Sequence, residues 1–327
     1  MPTSPMIDAV LRHRADVRTL LWALVLMPGA ALLPYAFPSL AGWLIPVGLY
    51  FGFCAGVLSH NQNHAPTFRN KTANTLYAAW LSFLYGYPTF AWIPTHNFNH
   101  HKFLNAPGDD TITWRYSKRN NWTNAWTYFF ISSYWQSGAI QGYIRDARAR
   151  KPEVFRRIIG QYAVVILGHV SMLALAIHLH GVKLGIAVYL TGFGIPSFFA
   201  LWSMMFINYI QHVDCDPWST HNHSRNFVSK LGNFLVFNNG FHTAHHANGG
   251  THWSKLPAVH AKLAPHIDPE LCQPSIFGFC LRTYLLGAAL PSFRTRQIGR
   301  AAYDAPADRS TVESSPEGLD EAAQPAE

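Results

Sequence analysis

Charge is scarce in this chain: Asp, Glu, Lys and Arg make up 13% of it, and acids are the scarcer sign, 17 against 25 Lys and Arg. Cysteine is scarcer still, with four residues, Cys54, Cys215, Cys272 and Cys280, none in a CxxC pair. That excludes a disulfide framework, a zinc ribbon and a conventional iron–sulfur ligand run. There is no HExxH, so the glutamate base of a metalloprotease is missing. There is also no GxSxG, Walker-type loop or GxGxxG between strand and helix, so hydrolase, nucleotide-driven and pyridine-nucleotide chemistry lack their defining parts.

The uncharged residues gather into long apolar blocks. Residues 19–36 and 41–59 form one pair and residues 158–179 and 184–210 a second, each joined by a short turn. A helix rises about 1.5 Å per residue, so roughly 20 residues cross a hydrocarbon core of about 30 Å. The pattern predicts four transmembrane helices in two hairpins. Arg12, Arg14 and Arg18 precede the first run as in a signal peptide, but a second run follows at once, which marks a retained anchor.

Positive charges crowd residues 12–18, 69–71, 115–119, 145–157 and 225–300, whereas the two hairpin turns hold only Lys183. By the positive-inside rule both termini and all long loops face the cytoplasm. Two further apolar stretches, 76–94 and 274–290, are interrupted by Pro88 and Pro94 and by Arg282, and are read as interfacial. The tail from 301 to 327 has seven carboxylates against Arg309 alone, and its composition predicts disorder. Residues 1–300 are then a single integrated domain, more basic than the net charge of +8 suggests. Anionic headgroups are the natural partner of that charge, with no call for nucleic acid.

Against this background three clusters of histidine stand out: HNQNH (His60, His64), HNFNHH (His96, His100, His101) and HTAHH (His242, His245, His246). Residues three or four apart share a helix face. Neutral imidazole is the commonest protein ligand for a transition metal. All three clusters fall on the cytoplasmic side of the predicted topology, where they build a histidine-lined cap for two metals. A nitrogen-rich site with few carboxylates suits iron, copper, nickel or zinc by ligand type.

Neighbouring polar residues extend the set. The last span ends in Asn208-Tyr209-Ile210-Gln211-His212, which places His212 as a further ligand and Asn208 as a hydrogen-bond partner of a ring or a metal-bound water. Asp109, Asp110, Asp214 and Asp216 are the carboxylates nearest these elements in sequence and are placed either against histidine N–H groups or in solvated loops. His221 and His223 are read as loop surface, and His252, His260 and His266 as interfacial polarity. His169, inside the third span, is read as bonding to another helix. Trp92, Trp114, Trp122, Trp126 and Trp253 are placed at the membrane interface. The segment Thr251–Pro257 is read either as the site floor or as a loop that packs Trp253.

HxxxH, HxxxHH and HxxHH in this order, with two hairpins and NxxxH closing the last span, resemble the membrane fatty acid desaturase family from about residue 41 to residue 266. The resemblance implies a non-haem di-iron centre held by His60, His64, His96, His100, His101, His212, His242, His245 and His246, with Asn208 acting through water. It implies O₂ as co-substrate and an acyl chain that loses two hydrogens to give a double bond. Hydroxylases, ketolases, acetylenases and decarboxylases share the pattern. With no fused haem, flavin or ferredoxin-like segment, electrons must come from a separate ferredoxin, cytochrome or reductase, for which Arg145, Arg148, Arg150, Lys151, Arg156 and Arg157 offer a basic face. A membrane metal-handling protein is the reading from another class. It would need histidines continuing through the bilayer as a path, and only His169 lies clearly within a span.

Overall fold

A computed structural model of the protein describes residues 5–305. The acidic tail therefore lies outside the described residues from position 306 on. The described chain is mostly helical, and the helices that position the site are α1 (Asp16–Ala36), α2 (Ala41–His64), α3 (Lys71–Tyr85), α4 (Ile93–His100), α5 (Trp122–Arg150), α6 (Pro152–Tyr189), α7 (Ile195–His212), α8 (His242–Ala247) and α9 (Ile276–Ala289). They are shared between two compact units. One comprises the chain up to Trp92 with Gln141–Met204, the other Ile93–Ile140 and the chain from Met205 on.

Among the described residues, three helical stretches of the first unit are long and apolar enough to cross a bilayer: Asp16–Ala36, Pro38–His64 and Pro152–His212, the last running on into the second unit. The third is interrupted. Gly181 has φ +74° and ψ 169°, a conformation open to glycine and strained for other residues. The break falls between the predicted runs 158–179 and 184–210, and the chain doubles back there. Tyr189 Oη lies 3.0 Å from His169 Nδ1, although twenty residues of straight helix would hold them about 30 Å apart. His169 Nε2 donates to the Phe83 carbonyl at 3.1 Å, so this imidazole inside an apolar helix is satisfied between helices. Much of α6 faces outward with apolar side chains, Ile166, Leu167 and Val170 among them, as suits a helix long and apolar enough to cross a bilayer.

Small residues let these helices approach. Gly48, Gly52 and Gly56 recur at four-residue spacing along α2 and face Pro196 and Met204 of α7. A Cβ at Gly52 would lie 2.4 Å from the Pro196 carbonyl oxygen, and both sides of that contact are backbone. Gly52→Ala should therefore lower the apparent melting temperature in detergent by several degrees, an overpacking cost of about 1–3 kcal/mol. A melting curve superimposable on wild type would contradict this packing.

α3 covers much of the 76–94 stretch. It opens on Asn70, whose Oδ1 accepts from Ala73 N–H at 2.9 Å, and stops at Gly86 with φ +77°. Its Leu81 and Tyr77 are buried within the first unit. In the second unit α9 takes most of the 274–290 stretch. Phe277, Leu281 and Leu285, four residues apart, are exposed along one face.

The rest of the second unit is built from the loops between α4 and α5 and after α7. Asn226–Phe227 pairs in parallel with Cys272–Gln273. Cys215, Ile267, Leu271 and Ile298 close a small apolar core.

Candidate metal centre

The second histidine cluster sits on α4, and α4 is not an α-helix. Ile93–His100 is wound with π geometry, whose hydrogen bonds run from i to i+5. Pro94, near its start, lacks an N–H where none is needed. The winding brings together two residues that an α-helix would separate: His96 and His101 have Nε2 atoms 3.1 Å apart. His245 of α8 joins them, its Nε2 3.0 Å from that of His101 and 3.5 Å from that of His96.

A second group converges beside it. The ligating nitrogens of His100, His212, His242 and His246 all lie within 4.8 Å of one another, and all four residues are buried. His212 Nε2 is 3.0 Å from His100 Nε2 and 2.9 Å from His242 Nε2, and His242 Nε2 is 3.0 Å from His246 Nε2. In the first unit, His60 and His64 occupy the last turn of α2 with ring centroids 4.7 Å apart, and His60 packs edge-on against Trp92.

The outer nitrogens decide what this convergence means. His212 Nδ1 is 3.1 Å from the His223 carbonyl, which can only accept, so Nδ1 carries the proton and Nε2 presents a lone pair. His100 Nδ1 is 2.7 Å from Asp109 Oδ2, which fixes the same tautomer. Two lone pairs thus face each other at 3.0 Å. They need a cation between them. Metal–nitrogen bonds of about 2.0–2.1 Å at right angles would place the nitrogens about 2.9 Å apart, so the donor set fits a histidine-ligated transition metal.

Electrostatics keeps the ligands in their binding form. Burial, followed by the surrounding imidazoles, pushes His246 well below the ordinary histidine range. A neutral ring is what binds a metal. Burial works to raise the Asp109 carboxyl, but its electrostatic interaction with the adjoining His100 and hydrogen bonds from His100 and Thr111 outweigh it and hold the group below the usual carboxylate range.

Local structure explains how Asp109 gets there. After the short turn His101–Phe103, Leu104 and Asn105 take positive φ, 48° and 72°, and reverse the chain. Asn105 then ties the loop down: its Nδ2 donates to the His212 carbonyl at 3.1 Å and its Oδ1 accepts from Thr113 N–H at 2.7 Å. α8 is held similarly. Asn226 Oδ1 accepts from Thr243 N–H at 3.0 Å, and its Nδ2 donates to Thr243 Oγ1 at 2.8 Å. At Gly240 an added Cβ would lie 2.2 Å from the Phe227 carbonyl oxygen, so only glycine fits just ahead of the third cluster.

Several expected positions differ. His223 is buried, with its carbonyl on His212 and burial pushing its ring down to about 4, because the loop after α7 folds inward beneath α8. His252 and His260 are buried too; His252 Nδ1 bonds Ser254 Oγ at 2.8 Å and His260 stacks on Phe241. Trp92 and Trp253 are buried, Trp253 edge-on against Phe237, while Trp122 and Trp126 are exposed. Asp214 accepts from Thr295 Oγ1 and Asp216 from Arg300 N–H, so these carboxylates bind the 295–300 segment. Asn208 Nδ2 donates to Tyr128 Oη at 2.9 Å. Asn105, Tyr128, Arg225 and Asn226 were not singled out in the sequence. Their only signal was the density of Asn, Asp and Thr over 105–113 and of Ser, Arg and Asn over 224–226.

Buried imidazoles aimed at shared points, backed by a carboxylate and a carbonyl and joined to helices able to span a bilayer, define a histidine-ligated metal centre in a membrane protein. The model of the fatty acid desaturase family matches residues 36–275, a stretch that contains all nine histidines and Asn208. The chain belongs to the fatty acid desaturase family. Membership carries with it an oxidoreductase class and a lipid or fatty acyl substrate. No curated protein and no solved structure matches the chain.

Proposed function

We propose that the protein is a membrane-bound, O₂-dependent desaturase of fatty acyl chains or acyl lipids, with two irons held by His60, His64, His96, His100, His101, His212, His242, His245 and His246. The observation that carries the reading is the convergence of inward Nε2 lone pairs whose tautomers are set by Asp109 and the His223 carbonyl. When bound, the iron pair supplies the oxidation of an unactivated C–H bond. The protein's own residues hold the imidazoles neutral and oriented, and keep one methylene of the chain near them while excluding competing reactions.

The topology belongs to the same reading: four spans in two hairpins, the break at Gly181 dividing the third apolar stretch, with both termini and the metal centre on the cytoplasmic side. Residues 1–300 act as one functional domain. A hydrocarbon offers no polar handle at the reacting carbon, so the shape of an apolar channel selects the position. Electrons come from a separate ferredoxin, cytochrome or reductase.

The test is mass spectrometry of lipids from aerated cells expressing the full chain with a compatible donor, beside a His245→Ala control. The expected product is lighter by two hydrogens and absent from the control. A product heavier by one oxygen would replace desaturation with hydroxylation. No product from an iron-loaded, reduced enzyme offered a range of acyl lipids would refute both.

A further inference from the structure

Tyr128, in the second turn of α5, is buried at 2% exposure and stands outside the proposed ligand set. Its hydroxyl is the centre of a continuous chain of hydrogen bonds. Asn208 Nδ2 donates to Tyr128 Oη at 2.9 Å, and Tyr128 Oη donates to the Thr111 carbonyl over a short contact. Thr111 in turn donates from both its N–H and its Oγ1 to Asp109 Oδ1, each at 2.6 Å. Asp109 Oδ2 receives Asn105 N–H at 2.8 Å and His100 Nδ1–H at 2.7 Å.

The chain closes on itself. Asn208 and His212 are one turn apart on α7, and His212 Nε2 meets His100 Nε2 at 3.0 Å. The loop thus runs from one ligand, through Asn208, Tyr128, Thr111 and Asp109, to another ligand contributed by a different helix. Every member is buried. Each hydrogen bond has one sense only: the Thr111 carbonyl and the Asp109 carboxylate accept, so Tyr128 must spend its proton on Thr111 and take the Asn208 N–H on its lone pair.

We infer that Tyr128 is a positioning residue for the metal centre, and that Asn208 acts through it: the pair sets the separation and orientation of His100 relative to His212. This rests on the metal-binding reading of the four converging imidazoles. Removing the hydroxyl leaves Asn208 Nδ2 and the Thr111 carbonyl without partners and frees the Asp109 loop to shift. A ligand displaced by a fraction of an ångström weakens and distorts the position it serves. Outer partners of metal-bound histidines typically contribute 10- to 100-fold in affinity. Tyr128 is two bonds further out than Asp109, so its effect is smaller, about three- to tenfold.

The experiment uses the full-length protein in detergent, stripped of metal and titrated with Co(II), read by its visible d–d absorption. Wild type should take up two equivalents. Tyr128→Phe should bind one equivalent about three- to tenfold more weakly with a shifted absorption band, leave the other unchanged, and melt as wild type does without metal. Asp109→Asn should weaken the same equivalent about 10- to 100-fold. Should Tyr128→Phe fail to fold, Thr111→Val, which removes the Oγ1 contacts with Asp109 Oδ1 and His100 Nδ1 further along the same chain, is read in the same way. Wild-type affinity and band shape in the folded variant would overturn the inference alone. A wild-type protein that takes up no Co(II) would instead overturn the metal reading on which it stands.

Discussion

His212→Ala should cost the protein one of the two irons proposed for it and all measurable acyl-chain oxidation while leaving it inserted in the membrane. His212 is fully buried at the last turn of α7, and its Nε2 is within 3.0 Å of two further imidazoles. Deleting it removes one of four donors that meet at a single point. The fall in metal affinity should therefore exceed the 10- to 100-fold typical of an outer partner. α7 itself should persist, because its apolar face packs independently of the ring. Iron per protein by mass spectrometry, with lipid analysis of the same cells, reads both effects. His178→Ala, which removes an exposed imidazole on α6, should keep wild-type iron. Two irons retained in His212→Ala would remove His212 from the ligand set.

The second large effect is expected at Arg225, far from any box in sequence. Its side chain is 2% exposed, its Nη1 donates to the carbonyls of Ile210 and Val213 at 2.5 and 3.1 Å, and its backbone N–H donates to Gln211 at 2.6 Å. The guanidinium lies 4.8 Å from the Phe279 ring. These are the carbonyls that the end of a helix leaves without partners, at the negative end of its dipole. Arg225 thus terminates α7 at the residue that delivers His212. Arg225→Met keeps the length and removes both donors. A hydrogen bond from a charged group contributes about 1.5–3 kcal/mol, so after relaxation the loss is about 2–4 kcal/mol. At about 2–4 °C per kcal/mol for a chain segment of this size, the apparent melting temperature should fall by roughly 5–15 °C. Arg225→Lys keeps a charge but not the fork, and should fall in between. Because large membrane proteins unfold irreversibly, the comparison needs matched scan rates. A shift within about 1 °C for Arg225→Met would show that the helix end does not depend on it.

Arg225 also shows where reading the sequence stops. A lone arginine in a loop rich in Ser, His and Asn carries no periodicity, and charge counting assigns it to headgroups. Only the inward fold of residues 213–225 turns it into a helix cap. His223 was misjudged for the same reason: spacing makes it a loop residue, whereas its carbonyl is what sets the tautomer of His212. Trp92 and Trp253 look like interfacial aromatics by type and are buried by packing. By contrast, Asp109 was visible as the nearest carboxylate to the second cluster. What was hidden was its attachment to His100, because two positive-φ residues reverse the intervening chain.

The sequence by itself determined the apolar helical stretches and their approximate limits, the break between 179 and 184, and the nine histidines. Apolar runs and imidazoles at three- and four-residue spacing are local properties, written in consecutive residues. Tertiary structure decided which imidazoles share a point. His101 joins His96 because α4 is wound with i to i+5 bonds, and His100 joins His212 because Asp109, Thr111, Tyr128 and Asn208 bridge two helices more than a hundred residues apart. A hydrogen bond depends on distance and angle in space, and the chain has no local pattern that records either.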